Sequence, residues 1–246
     1  MLRNVIKFTQ ITVRRELAGM ALVCYTSSTM HKLFERNHDP IWHAQLALLF
    51  VVCLQLFTNS ALLPFDKFAI IGLELFLITI LTFITPAGYG KVSKTRRALG
   101  IGLIGFITLI NIVSLILLLS ALFFGDDAVD GHDLLINGLV VYVTNIMMFA
   151  LWYWEMDGGG PEKRATNTTP REDFIFPQML HPLVFTKRWL PGFIDYLYLS
   201  ATNVTNFASA DTIPISRRAK MLMMIQALVS VITVVLVAAR AINILQ

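Results

Sequence analysis

The stretch that decides the fold class is LGIGLIGFITLINIVSLILLLSALFF, residues 99–124, which contains no charged residue. An α-helix needs roughly 20 mostly apolar residues to cross the hydrocarbon core of a bilayer. Lipid offers the backbone no hydrogen-bond partners, so such a segment has to satisfy its own polar groups by forming a helix. We therefore predict that residues 99–124 form a transmembrane helix of an integral membrane protein.

Four further apolar stretches extend the prediction to five transmembrane helices. They cover residues 41–63, 68–84, 134–154 and 221–244. The composition agrees, because 56% of the 246 residues are hydrophobic and 15% are charged, with a mean hydropathy of +0.66, whereas a soluble domain has about 25% charged residues. Such a composition excludes a disordered chain, a disulfide-stabilised scaffold and a nucleic-acid-binding domain. It predicts an all-α integral membrane protein in contact with membrane lipid.

The charges of two short loops predict how the protein lies in its membrane. The loop after residues 68–84 carries only bases, and the loop after residues 99–124 carries only acids. The bases are Lys91, Lys94, Arg96 and Arg97, and the acids are Asp126, Asp127, Asp130 and Asp133. Because cytoplasmic loops are enriched in Lys and Arg, we predict a multi-pass protein of the cell inner (plasma) membrane with a cytoplasmic N-terminus. Residues 1–40 then form a cytoplasmic or interfacial segment with a partly amphipathic helix over residues 5–33.

The segment between the fourth and fifth predicted spans is not a simple loop. Residues 155–191 are polar, rich in proline and aromatics, and lack a helical period, which predicts a structured loop. Residues 193–205, FIDYLYLSATNVT, are too short to span a bilayer and too apolar for a plain loop, which predicts a re-entrant or interfacial helix. Small and polar residues follow at 206–211. Because non-helical backbone at membrane depth must be buried in protein or line a water-filled cavity, this order predicts a cavity or pore.

Residues 198–216, YLSATNVTNFASADTIPIS, resemble the pore loop of two-span potassium channels. The identical positions in a gapless alignment are Tyr198, Ser200, Thr205, Asp211 and Pro214. The resemblance implies an outer helix at residues 134–154, a pore helix at 193–205 and an inner helix at 219–245, in four copies around an axis. It divides the chain into the segment 1–40, a three-helix membrane region at 41–124, and a region at 125–246. This last region holds the outer helix, long loop, pore-type helix, filter-like loop and inner helix.

The filter positions depart from the pattern of that family. In potassium channels the filter is Thr-Val-Gly-Tyr-Gly, and its backbone carbonyls replace the water shell of the ion. The equivalent positions here are Asn206, Phe207, Ala208, Ser209 and Ala210. Alanine, unlike glycine, is penalised at positive φ, so a carbonyl ladder of the potassium type is not expected. We predict instead a lining of side chains from Thr205, Asn206 and Ser209, with a ring of Asp211 carboxylates that selects inorganic cations.

The function hypothesis is therefore a cation-conducting homotetramer without potassium selectivity, with Ser230 and Thr233 as further lining residues. Two alternatives use the same fold. One is a non-conducting membrane scaffold or sensor, and the other is a small secondary transporter that binds substrate at the end of a half-helix. The sequence carries no HExxH, GxSxG or CxxC motif and no phosphate-binding glycine loop, so we expect no enzyme, cofactor or metal site. The whole chain also resembles uncharacterised bacterial multi-span membrane proteins that share its WEMDGGGP and DYLYLS stretches, a resemblance that implies no activity.

The loop charges also predict the direction of the pore loop. With the N-terminus inside, residues 155–220 lie in the cytoplasm, so the pore loop enters from the cytoplasmic side and the C-terminus lies outside. This is the inverse of potassium channels and the orientation of ionotropic glutamate receptors. A full crossing by residues 193–211 is the alternative, and it would return the C-terminus to the cytoplasm.

Polar residues within the predicted spans are further candidates. Glu74 lies in mid-span, where an acid is costly, so it is either a functional site or a hydrogen-bond partner of a neighbouring helix. Asn145 is explained by an interhelical hydrogen bond. Arg240 lies near the end of the last span and either reaches the interface or forms a ring of charge at a pore mouth. Asp211 itself has an alternative role as a turn residue before Pro214.

Overall fold

The computed structural model describes residues 42–58, 66–84, 94–124, 131–166, 172–180, 189–206 and 211–244. The predicted segment 1–40 and its helix lie outside the described residues. So do four of the filter-like positions, Phe207, Ala208, Ser209 and Ala210.

The described part of the chain is almost entirely helical. Helices α1 to α8 are, in order, Trp42–Gln55, Lys67–Ile84, Lys94–Phe124, Gly131–Met156, Pro161–Thr166, Pro177–Leu180, Phe193–Thr205 and Arg217–Ile244. A short 3₁₀ turn, Asp157–Gly159, follows α4, and the strands are β1, Phe174–Ile175, and β2, Ile213–Pro214. Helices α3, α4 and α8 are long and apolar enough to cross a membrane. The protein is therefore a helical membrane protein with three such helices among its described residues.

The first predicted span, residues 41–63, corresponds to a shorter helix, whereas the second, residues 68–84, nearly coincides with α2. Helix α1 has 14 residues, about 21 Å at 1.5 Å per residue, which is less than the roughly 30 Å hydrocarbon core. It ends at Gln55 in a turn that runs to Thr58, whereas the apolar stretch in the sequence continues to residue 63. Helix α2 has 18 residues. An arrangement of five transmembrane helices therefore remains a proposal.

Helix α3 begins five residues before the predicted span. Lys94, Arg96 and Arg97 were expected in a loop but lie in its first turn. The reason is that hydropathy detects the apolar part of a helix, while a polar turn at its end continues the same hydrogen-bonding pattern. Ion pairs hold this turn in place, because Arg96 Nη1 lies 2.7 Å from Glu162 Oε1 and Arg97 Nε lies 3.4 Å from Glu155 Oε1.

The predicted structured loop at residues 155–191 contains short helices. The segment contains α5 and α6, of six and four residues, which are too short to produce a visible hydrophobic period. The glycines before α5 do break the chain. Gly158, Gly159 and Gly160 have φ of 58°, 84° and 101°, a region that residues with a Cβ rarely occupy. They turn the chain sharply at the end of α4.

Helix α4 lies at the centre of the described bundle. It packs against α3, α7 and α8, and it also contacts α1, which pairs with α2. The buried core along α4 includes Met148, Leu151 and Tyr153. The two strands form an antiparallel pair at the carboxyl end of α4, with Phe174 opposite Pro214.

Helix α7 and strand β2 form a hairpin that starts and ends at the same end of α4. Tyr196, near the start of α7, donates to Asp157 just after α4. Strand β2 is held at the same end by its pairing with β1. In between, the Val204 carbonyl accepts a hydrogen bond from Ser230, about 20 Å along α8 from its start. The described residues on both sides of positions 207–210 are therefore anchored at the same end of α4.

Close packing of α4 on α8 gives a first testable prediction. A Cβ added at Gly138 would lie 2.4 Å from Val237 Cγ2, whereas a Cβ at Gly102 meets nothing within 4 Å. We expect Gly138→Ala to lower the free energy of unfolding by about 1–3 kcal/mol, because Val237 must rotate or the helices must separate. The matched control Gly102→Ala should be neutral or stabilising. Thermal unfolding of the purified variants in detergent measures both, and equal midpoints for the two variants would contradict the packing argument.

Candidate functional site

The candidate site consists of α7 with Asn206, and of residues 211–212 with β2, and it is named here the α7–β2 hairpin; residues 207–210 lie outside the described part. Helix α7 begins at Phe193, directly after Pro191 and Gly192. Proline lacks a backbone N–H and so interrupts helical hydrogen bonding. The Gly192 backbone N–H donates to Asp195 Oδ2 at 2.7 Å, a capping interaction that fixes the first turn. The helix is apolar enough to be buried, yet it carries polar side chains that need partners.

A buried amide on α8 supplies those partners. Gln226 is fully buried, and its Nε2 donates to the Ser200 hydroxyl at 2.6 Å and to the Ser200 carbonyl at 3.2 Å. Its Oε1 accepts from Asn203 Nδ2 at 2.8 Å and from the Tyr153 hydroxyl at 2.5 Å. One side chain therefore joins α4, α7 and α8, and all of its hydrogen-bonding capacity on Nε2 and Oε1 is used.

Further hydrogen bonds attach α7 to the backbone of both long helices. The Ser200 hydroxyl donates to the Ile146 carbonyl of α4 at 2.6 Å. Asn203 Nδ2 also donates to the Met223 carbonyl of α8 at 3.1 Å. Asn145 makes the interhelical bond expected of it, from Nδ2 to the Gln226 carbonyl at 3.4 Å. Buried polar groups cost free energy unless they are paired, so this network fixes both the depth and the rotation of α7.

A second cluster anchors the hairpin at the end of α4. Asp157 is fully buried, and its Oδ1 accepts from the backbone N–H groups of Asp173, at 2.6 Å, and Phe174, at 3.3 Å. Its Oδ2 accepts from the Tyr196 hydroxyl at 2.5 Å. The carboxylate thus joins β1 to α7. Burial raises the pKa of Tyr196 well above its usual value, so the hydroxyl stays protonated and able to donate.

Arg164 completes this cluster. Its Nη1 donates to the carbonyls of Trp154 and Asp157, at 2.7 and 2.5 Å. The guanidinium carbon lies 5.1 Å from the centroid of the Tyr196 ring, within the range of a cation–π contact. Arg164 therefore caps the carboxyl end of α4, where a cation is favoured by the helix dipole.

The described residues on either side of positions 207–210 are named here the tip of the hairpin. Thr205, Asn206 and Asp211 are all solvent-accessible, and Asp211 lies in a turn, as expected from its second interpretation. The Thr205 hydroxyl donates back to the Ala201 carbonyl at 2.9 Å. Of the predicted lining residues, the described ones are close together in sequence. Thr205 and Asn206 lie at the carboxyl end of α7.

The expectation that Ser230 and Thr233 line a pore is not met. Both residues are fully buried within the protomer. Ser230 donates to the Val204 carbonyl at 3.4 Å, and Thr233 donates within its own helix to the Val229 carbonyl at 2.8 Å. Ser230 and Thr233 follow Gln226 by four and seven residues, so the three share one face of α8, and that face packs inside the protomer.

The remaining polar candidates lie away from the hairpin tip. Glu74 is fully buried on α2, and its Oε1 accepts from Gln55 Nε2 of α1 at 3.1 Å. Arg240 lies within α8, and its side chain is outside the described part. Among the described residues, no group of three or more His, Cys, Asp and Glu side chains could hold a metal ion.

Comparison of the chain with known protein families, with curated proteins and with solved structures finds no match. The geometry of this chain is therefore the basis on which a function can be proposed.

Sequence reasoning missed the residue at the centre of the network. Gln226 lies in the middle of the last apolar stretch, and the same argument that singled out Glu74, an uncharged environment around a polar group, applies to it. No comparable signal in the sequence marks Asp157 or Tyr196, because acids and tyrosines are common near helix ends.

Proposed function

We propose that the protein is a pore-loop-type membrane protein that conducts inorganic cations without potassium selectivity. The observation that carries the proposal is the α7–β2 hairpin, in which a short helix packs against two long helices and the strand that follows lies near the start of that helix. Non-helical backbone at membrane depth requires burial in protein or a water-filled cavity. The exposed tip of this hairpin meets that condition when copies of the protomer surround an axis.

The chemistry of the tip favours cations over anions. The carboxyl end of α7 carries the partial negative charge of the helix dipole, and its exposed end residue Asn206 offers an amide oxygen. Asp211, on the return of the hairpin, adds a formal negative charge. Carboxylate rings in a pore select cations. A side-chain lining of this kind does not need the glycines that a carbonyl filter uses.

The outer face of α8 supports assembly. A series of large apolar side chains along this helix is exposed in the protomer, with Leu228 at 63%. The series is Met221, Met224, Ile225, Leu228, Val231, Val234 and Val235. In the proposed homotetramer part of this face packs against a second copy and part contacts lipid. Helices α1 and α2 complete five membrane-embedded helices in the inner (plasma) membrane, with the N-terminus in the cytoplasm.

Ion flux through purified protein in liposomes tests the proposal. We expect Asp211→Asn to reduce cation-over-anion permeability about fivefold, because one unit charge at roughly 4 Å contributes about 1 kcal/mol in water. The matched control is Asp66→Asn, which neutralises another exposed acid. Asp66 caps the start of α2 through the Phe68 N–H, and asparagine caps equally well, so flux should not change.

Two results would contradict the proposal. Absence of flux under every cation gradient and voltage would favour a scaffold, a sensor or a transporter whose substrate was not supplied. Flux with identical selectivity in wild type and Asp211→Asn would show a pore lined by other residues.

A further inference from the structure

Glu74 is a buried acid in the α1–α2 pair that the proposed pore does not use. It lies within the 18-residue helix α2, about 10 Å from its start and about 15 Å from its end at 1.5 Å per residue. Its side chain has no solvent exposure. The carboxyl group is therefore placed in the interior of the pair and not at a helix end, where acids are common.

The surroundings of this carboxyl are apolar. Four buried side chains of one hydrophobic cluster lie one helical turn from Glu74 or from its hydrogen-bond partner Gln55. They are Val51, Val52, Ile71 and Ile78. Residues three or four positions apart share a helix face, so the buried faces of both helices are apolar on either side of this polar pair.

The carboxyl group has few hydrogen bonds. In the described part of the chain, Gln55 Nε2 donates to Glu74 Oε1 at 3.1 Å, and the buried Oε2 has no hydrogen-bond partner. An ionised carboxylate offers about four acceptor sites, of which one is used here. A buried charge without compensation costs far more free energy than a buried neutral polar group without a partner. The neutral acid therefore fits this environment better than the carboxylate does.

No cation among the described residues pairs with Glu74. The nearest in sequence, Lys67, lies about 10 Å away along α2, and its Nζ donates to the carbonyls of Leu56 and Thr58, at 2.6 and 2.8 Å. The remaining titratable groups on or directly before helices α1 to α3 lie near helix ends or on the exposed side. These are His43, Cys53, Asp66, Lys94, Arg96 and Arg97.

The buried pair lies next to an exposed turn. Gln55 is the last residue of α1, and Leu56 and Phe57, which follow it, are 53% and 71% exposed. A small displacement of this turn therefore uncovers Gln55 and admits water to the carboxyl group beneath it.

We propose that Glu74 is a proton-binding site. The carboxyl is neutral while the α1–α2 pair is closed. When the turn after Gln55 opens, the O–H bond of the acid breaks and water accepts the proton. Acids that exchange protons within membrane proteins serve in proton relays. The proposal does not depend on whether the protein conducts cations.

Infrared spectroscopy of the purified full-length protein in detergent tests the protonation state. A neutral carboxyl has a carbonyl stretching band that a carboxylate lacks. We expect this band in wild type at neutral pH and its loss in Glu74→Gln, which keeps an acceptor for Gln55 Nε2. The matched control Asp66→Asn, at an exposed acid directly before α2, should leave the band unchanged.

Labelling of the wild-type protein with dicyclohexylcarbodiimide, an apolar reagent that requires a protonated carboxyl, tests proton exchange without any substitution. The carboxyl oxygen bonds to the central carbon of the reagent, and the proton passes to a nitrogen. Trypsin cleavage after Lys67 and Lys91 gives a peptide, residues 68–91, in which Glu74 is the sole acid. We expect label on this peptide at neutral pH, its progressive loss as the pH is raised, and no label at Asp66.

Three outcomes would overturn the proposal. Identical infrared spectra of wild type and Glu74→Gln at neutral pH would show that the carboxyl is ionised. A band and a label that persist at every pH at which the protein stays folded would show a permanently neutral structural group. Equal labelling at Asp66 and in peptide 68–91 would show that burial gives Glu74 no distinct protonation.

Discussion

Replacing Gln226 by methionine should separate α7 from the two long helices. Methionine preserves the length of the side chain but removes every hydrogen bond at the centre of the network. The Tyr153 hydroxyl then loses its acceptor and the Ser200 carbonyl loses a donor. Each unsatisfied buried group costs about 1–3 kcal/mol, so we expect a loss of roughly 2–5 kcal/mol. At about 2–4 °C per kcal/mol for a protein of this size, the thermal unfolding midpoint in detergent should fall by roughly 5–15 °C.

The matched control is Ile225→Met, which introduces the same side chain at the neighbouring position on the exposed side of α8. Its midpoint should stay close to that of the wild type. If Gln226→Met and Ile225→Met unfold at the same temperature, the network does not hold the hairpin. If the hairpin forms the pore, Gln226→Met should also abolish the cation flux that Ile225→Met retains.

The second large effect is expected for Asp157→Ala. The substitution leaves three buried donors without this acceptor, namely the N–H groups of Asp173 and Phe174 and the hydroxyl of Tyr196. We expect a loss of roughly 4–6 kcal/mol, because hydrogen bonds to a charged group are among the stronger ones. Strand β1 then loses its tether to α4, so the amides of the β1–β2 pair should exchange faster with deuterium. Hydrogen exchange detected by mass spectrometry measures this at Ile175 and Ile215.

Two companion variants separate the role of this carboxylate from a general loss of charge. Asp157→Asn retains one oxygen for the two backbone N–H groups, and its amide can donate to the Tyr196 oxygen, so its effect should be much smaller. Asp211→Ala removes an exposed carboxylate of the same hairpin and should leave stability unchanged. Faster exchange in β1 and β2 that is equal for Asp157→Ala and Asp211→Ala would rule out a specific anchor at Asp157.

The two anchors act on different parts of the α7–β2 hairpin. Gln226 holds α7 within the bundle, while Asp157 holds its start and, through β1, its return. Both anchors lie away from Thr205, Asn206 and Asp211, which are exposed.

Apolar runs in the sequence were sufficient to locate the three long helices, α3, α4 and α8, and the short helix α7. The predicted span at residues 99–124 lies within α3, and the predicted helix at residues 193–205 coincides with α7. The ends were less predictable, because Lys94 to Arg97 are polar and yet helical. Their helical conformation is supported by ion pairs to Glu155 and Glu162, residues distant in sequence. Ion pairs between residues so far apart leave no pattern within a short stretch of sequence.

For the candidate site, the sequence identified exposed residues of the α7–β2 hairpin but not Gln226 and Asp157, the residues that anchor it. Thr205, Asn206 and Asp211 were predicted from a short resemblance; all three are exposed in the protomer, and their role as lining residues stays a prediction. Ser230 and Thr233 were assigned to the lining from their polarity alone, but they are buried. Both share one face of α8 with Gln226, and only the packing shows that this polar face points into the protomer.

By itself the sequence determined that the protein is a helical membrane protein, because long uncharged runs have one stable conformation in lipid. It also determined the breaks in the chain, since the glycines at 158–160 permit positive φ and prolines remove backbone donors. Only the tertiary structure decided that Gln226 joins three helices and that Asp157 joins β1 to α7. These features depend on contacts between residues 16 to 73 positions apart, and side chains so far apart in sequence are brought together only by helix packing.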